Sequence, residues 1–152
     1  MKEMTIKAMS QANIEKYMTD MPHIVISIRD DGCEDKAKLP DNPNRIAELF
    51  LDFADMDKPE VGFAFKLFSK EDARAILGLV KMTEPYINTI LVNCMAGVSR
   101  SAAVAAALSI LLGVSDTNYF NPRGPYYPNR LVYRTLLDVA IEENFYDPTR
   151  KE

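Results

Sequence analysis

The chain of 152 residues has no tryptophan, one histidine and only two cysteines. Two thiols, Cys33 and Cys94, are too few for a disulfide framework, and the pattern suits a reducing compartment. A single histidine, His23, with two distant cysteines is a poor donor set for zinc. His23 precedes an apolar run and reads as a strand-edge residue. An excess of basic residues is also missing: 18 Lys and Arg stand against 22 Asp and Glu, for a net charge of -4. That balance argues against a broad nucleic-acid surface, although it leaves room for one local positive pocket. No long hydrophobic run is present. The longest, Ala102 to Val114, is interrupted by Ser109 and falls short of the ~20 residues of a membrane span. The first seven residues mix charge with apolar side chains and contain no signal core. These absences predict a cytoplasmic protein with no membrane or nucleic-acid partner.

What is present fits one globular domain spanning 1–152, with 47% apolar and 26% charged residues. No repeat or low-complexity linker divides it. Ser10 is placed to cap a short helix through Ile14 and Tyr17. His23 to Ile28 is short and β-branched, a buried strand that ends at the turn signal Arg29-Asp30-Asp31-Gly32. Ile46 to Phe53 reads as a second strand. Ser69, followed by Glu71 and Asp72, opens a helix that buries Ala73, Ile76, Leu77 and Val80 and stops at Pro85. Thr89 to Val92 is continuously apolar, as expected of a strand covered on both faces. Cys94 to Ser101 is a loop. Ala102 to Leu112 is an almost wholly apolar helix that belongs in the middle of a domain, with Gly113 as its stop. A last helix starts near Pro128 and turns Leu131, Leu136, Val139 and Ala140 inward. The 146–152 stretch reads as a frayed tail. Strands separated by helices predict an α/β architecture with a mostly parallel central sheet flanked by helices. In such a sheet ligands sit beyond the carboxyl ends of the strands, where Cys94 falls.

The chemistry concentrates in Asn93-Cys94-Met95-Ala96-Gly97-Val98-Ser99-Arg100-Ser101. A buried strand runs into a short loop and a helix follows at once. Backbone N–H groups at a helix start lack internal partners and carry partial positive charge. A loop from Met95 to Ser99 curled around that point aims several of them at one anion, with Gly97 supplying backbone freedom. The same field favours the thiolate of Cys94. The planar fork of Arg100 matches two oxygens of a phosphate, and Ser101 is placed to donate a hydrogen bond to the thiolate. These are the parts of phosphoryl transfer through a cysteinyl-phosphate.

Cys94, five residues, then Arg100 and Ser101, with Gly97 inside, resembles the signature of the protein tyrosine phosphatase superfamily. Its small dual-specificity branch is the nearest in pattern, and Pro128-Asn129-Arg130 resembles the Pro-Asn opening of that branch's late helix. The similarity runs from about His23 to Phe145. It implies a three-layer cysteine-phosphatase fold and a phosphomonoesterase that needs no cofactor and no metal. The implied substrates are a phosphorylated protein or a small phosphate ester, with inorganic phosphate and vanadate as inhibitors. The resemblance also implies an aspartate on a loop after an earlier strand as general acid: Asp55 first, Asp57 second. It turns Asn129 and Arg130 towards the phosphate site, and helix capping is an equally good account of Asn129. One residue departs from the pattern, because Asn93 stands where the family usually has histidine. Asparagine makes some of the same backbone hydrogen bonds but carries no positive charge. Cys33 is either a loop cysteine or a protective partner of Cys94 under oxidation. Tyr119, Phe120, Tyr126 and Tyr127 either line a substrate entrance or pack their loop onto the domain. A phosphate-binding module without turnover is the alternative function. Arsenate reduction and sulfur transfer fit less well, for want of further cysteines.

Overall fold

A strand whose six residues are all buried, β4 (Thr89–Cys94), sets the centre of the molecule. β1 (Thr5–Ser10) pairs with it on one side and β2 (His23–Arg29) on the other. β3 (Arg45–Asp52) completes the sheet beyond β2, giving the order β1-β4-β2-β3 with every pair parallel. The computed structural model describes residues 3–33, 35–59, 62 and 64–145, so the tail expected at 146–152 lies outside the described residues. β1 was not anticipated from the sequence. As an edge strand it alternates exposed and half-buried positions from Thr5 to Ala8 and then stays half-buried through Ser10, and its lysine and threonine mask the apolar signal that a central strand displays.

One face of the sheet carries α2 (Lys70–Thr83), α3 (Arg100–Leu111) and α4 (Arg130–Glu142). Ile24, Ile26, Ile90 and Val92 pack there against Ile76, Val80, Val104, Leu108 and Leu136. The capping box of Ser69 and Asp72 starts α2 where expected, and Ala73, Ile76, Leu77 and Val80 are its buried stripe. α3 begins at Arg100, two residues before the apolar run, and residues Arg100 through Ser109 are all buried. Gly113 follows with φ +76°, a conformation that ends the helix at low cost. Asn129 caps α4 by accepting from the Val132 N–H at 3.1 Å, so this helix starts slightly later than Pro128.

The opposite face is covered more thinly. α1 (Gln11–Ile14) is a single turn capped by Ser10 and ends before Tyr17. Its Ile14 packs with Val25, Leu91 and Ala37. Because all strands run parallel, their carboxyl ends meet at one edge: Ser10 lies opposite Cys94, and Arg29 opposite Asp52. The segments that follow those residues build the site described next.

Candidate active site

Cys94 ends β4 and is 2% exposed. The loop after it folds back over its sulfur: the Gly97 N–H donates to Sγ at 3.3 Å, and Ser101 Oγ lies 3.1 Å from it. Burial alone would push this thiol up. The Ser101 hydroxyl, the backbone N–H groups of Ser101 and Gly97, and the Arg100 charge outweigh that and hold Cys94 below the ordinary thiol value. The turn depends on Gly97, whose φ of +76° favours glycine. A Cβ there would sit 2.5 Å from Met9 C and Ser10 N, so the loop rests directly on the end of β1. A hydrogen bond from Gln11 N to Met95 O at 3.2 Å joins them.

Arg100 is buried at the first turn of α3. Its Nη1 donates to Phe53 O at 2.9 Å and pairs with Asp30 Oδ1 at 2.7 Å. Its Nε is buried without a partner among the described residues. Neither Asp30 nor the Phe53 carbonyl was singled out from the sequence. Asp30 showed there only as part of a turn, and nothing local links that turn to Arg100.

Asp55 stands on the other rim. Its Oδ1 accepts from Ser99 Oγ at 2.8 Å and from Asn129 Nδ2 at 3.0 Å. Asn129 Nδ2 also donates to Met56 O at 3.2 Å, tying the loop after β3 to the start of α4. Thus Cys94, Ser101, Arg100, Asp55 and Asn129 lie around one loop. Asp57 is exposed and lines a cleft of about 410 Å³ with Asp55, Lys58, Ser99, Tyr127 and Arg130. The cleft opens beside the loop, between the segment after β3 and the start of α4.

Other expectations fare differently. Asn93 is fully buried, yet neither Oδ1 nor Nδ2 has a partner among the described residues. The backbone hydrogen bonds expected of its side chain are absent among the described residues, while its main chain pairs in the sheet with Met9 and Ser27. His23 is buried, with Nδ1 2.8 Å from Met21 O, at the end of the sheet opposite Cys94. Cys33 and Cys94 are both free. Cys33 shares its turn with Asp30, donating its N–H to the Asp30 carbonyl at 3.0 Å. The aromatic loop is split: Tyr119 is buried and packs against the half-buried Tyr126, whereas Phe120 is exposed with its ring meeting Tyr133 edge-on. Tyr127 is 61% exposed at the cleft, and its N–H donates to Val98 O at 2.9 Å.

No protein-family model matches this sequence, and no curated protein does. Solved structures are similar in fold. The human tyrosine phosphatase-like serine/threonine/tyrosine-interacting protein superposes with a TM-score of 0.60 at 19% identity, covering 91% of this chain and 93% of that one. Human DUSP28 gives 0.59 at 16% identity over 91% and 93%. PTPMT1, in a structure with PI(5)P, gives 0.54 at 12% identity over 92% of each chain. The chain therefore has the fold of the small dual-specificity-phosphatase-like proteins within the protein tyrosine phosphatases. At these identities the likeness is one of fold. Among the described residues no helix is long and apolar enough to cross a membrane.

Proposed function

We propose that this protein is a cysteine-dependent phosphomonoesterase of the tyrosine or dual-specificity type, acting on a phosphorylated protein or a small phosphate ester. The observation that carries the reading is the surroundings of Cys94. A thiol held below its ordinary pKa by Ser101 and Gly97 lies beside a buried arginine whose Nε has no partner among the described residues. A buried cationic N–H left unmet costs free energy, and an anion in the loop would remove that cost.

In this reading the Cys94 thiolate attacks phosphorus and the P–O bond to the leaving group breaks. Asp55 gives its proton to the departing oxygen. The backbone N–H groups of Met95 to Ser99 and the Arg100 fork hold the equatorial oxygens throughout. Asp55, now a carboxylate, takes a proton from water as that water attacks phosphorus. The P–S bond breaks, and the returning thiolate is received by the Ser101 hydroxyl. Asn129 and Ser99 hold Asp55 over the loop. The chemistry asks for no metal, and a reducing cytoplasm would keep the thiol competent.

One observation favours a second reading, a phosphate-binding module without useful turnover. Asn93, beside the nucleophile, meets none of its hydrogen bonds, so nothing from that side chain stiffens the loop. Hydrolysis of para-nitrophenyl phosphate by the reduced protein and by Cys94→Ser separates the two. Wild-type turnover that survives a chelator, is blocked by vanadate and vanishes in Cys94→Ser supports the enzyme. Turnover that persists in Cys94→Ser refutes the mechanism. An inactive wild type still stabilised by vanadate supports the binding module.

A further inference from the structure

We propose that a groove running from the Cys94 loop past Tyr127 to the 116–126 segment holds the polypeptide that flanks the phosphorylated residue, so that the substrate is a phosphoprotein. The inference rests on the phosphomonoesterase reading given above and names its substrate class. The groove has three stretches. The first is the cleft of about 410 Å³ beside the Cys94 loop, lined by Asp55, Ser99, Tyr127 and Arg130 among others. The second, of about 240 Å³, shares Tyr127, Pro128 and Arg130 with the first. It shares Phe120, Asn121, Pro122 and Tyr126 with the third, a cavity of about 790 Å³ that also takes in Asp116 and Asn118. Tyr127 is the physical link. Its N–H donates to Val98 O at 2.9 Å on the Cys94 loop. Its ring reaches Gly124, in the wall of the third stretch, where an added Cβ would meet Tyr127 Oη at 3.0 Å.

The lining selects among occupants that carry a phosphate at one end. Among the described residues Asp116 is the one charged group of the far cavity, so a second phosphate, an anionic headgroup or a nucleic-acid strand finds no cation there. The exposed Asn118 and Asn121 put amide groups, donor and acceptor together, beside the rings of Phe120, Tyr126, Pro122 and Pro125. A hydrocarbon chain laid over those amides would strip their water and return no hydrogen bond. A polypeptide meets both needs: its main chain pairs with the amides, and an apolar or prolyl side chain packs on the rings. A free phosphorylated amino acid seated on the Cys94 loop would leave the far cavity empty. Phe120 and Tyr127 leave about half or more of their surface in solvent, at 46% and 61%, and a bound chain would cover it.

The test follows which members of a pool of short peptides, each with phosphotyrosine at the centre and random flanks, lose phosphate first, read by mass spectrometry. The reduced wild-type protein is expected to enrich an apolar or prolyl residue at one fixed flank position by on the order of fivefold or more, the weight of one interface anchor. Phe120→Ala removes a wall of the far cavity, and Asn118→Trp fills that cavity from an exposed position. Both are expected to abolish the enrichment while hydrolysis of para-nitrophenyl phosphate stays within about twofold of wild type. Because Phe120 also packs on Tyr133, Asn118→Trp carries the test alone should Phe120→Ala fail to fold. No enrichment by the wild type would overturn the proposal, as would enrichment that survives in Asn118→Trp. So would variants that keep the peptide preference and lose turnover of phosphatidylinositol phosphate in vesicles, since the groove would then carry lipid. Absence of wild-type turnover on para-nitrophenyl phosphate would instead bring down the phosphomonoesterase reading, and this inference with it.

Discussion

Replacing Gly97 with alanine tests the geometry of the loop without assuming any reaction. Two costs add. The backbone at φ +76° is strained for an L-residue by about 1–2 kcal/mol. The new methyl would also lie 2.5 Å from Met9 C and Ser10 N and 2.9 Å from Met9 O. These are backbone atoms of β1 at the point where Met9 and Ser10 pair with Asn93 and Cys94. They move only if the strand end or the loop moves, and overpacking of this kind costs about 1–3 kcal/mol. The sum is about 2–5 kcal/mol, which for a domain of this size lowers Tm by about 5–15 °C. Scanning calorimetry of wild type and Gly97→Ala reads it directly. Gly78→Ala is the control: it lies on the exposed side of α2, with ordinary φ and nothing within 4 Å. There helix propensity predicts a gain of about 1 kcal/mol or less. A Gly97→Ala protein that melts within about 2 °C of wild type and still hydrolyses an aryl phosphate would refute the contact between loop and β1.

The lowered pKa of Cys94 predicts that its alkylation by iodoacetamide reaches half its plateau below the pH of an ordinary thiol, and that Ser101→Ala moves the midpoint upward. The linked stability has a definite sign. It is fully present above the unfolded thiol value and is lost as pH falls through the folded one, so denaturant midpoints of wild type show a slope in that window that Cys94→Ser lacks. Asp55→Asn is expected to reduce phosphatase kcat by about 10²-fold or more, the usual weight of a general acid, with the loss smaller for better leaving groups; a variant of unchanged kcat on a poor leaving group removes Asp55 from the mechanism. Asn93→Leu discards two buried polar atoms that have no partner, and urea unfolding should report stability equal to wild type or higher by about 1–3 kcal/mol. A clear loss of stability there would mean that Asn93 is satisfied in solution.

Much of the site could be read along the chain because its parts are local. A buried strand, a tight loop and an apolar helix within Thr89 to Leu111 carry the nucleophile, the glycine and the arginine in order, and short-range hydrogen bonding places Ser101 and Gly97 on the sulfur. Helix caps at Ser10, Ser69 and Asn129 were equally legible, since a cap acts on the N–H three residues ahead. Asp55 came from the resemblance, and its contacts with Ser99 and Asn129 bridge segments with no pattern in common.

What the sequence by itself determined is therefore the α/β layering, the buried central strand and the composition of the anion loop, all set by periodicity and neighbouring residues. Only the tertiary structure decided that an alternating, partly charged N-terminal segment would be the edge strand on which the loop rests. It alone brought Asp30 and the Phe53 carbonyl to one nitrogen of Arg100. It alone left Asn93 buried with its hydrogen bonds unmet. The physical reason is shared by all three: parallel strands gather segments distant in sequence at one end of the sheet, and such contacts have no period or spacing by which a chain announces them.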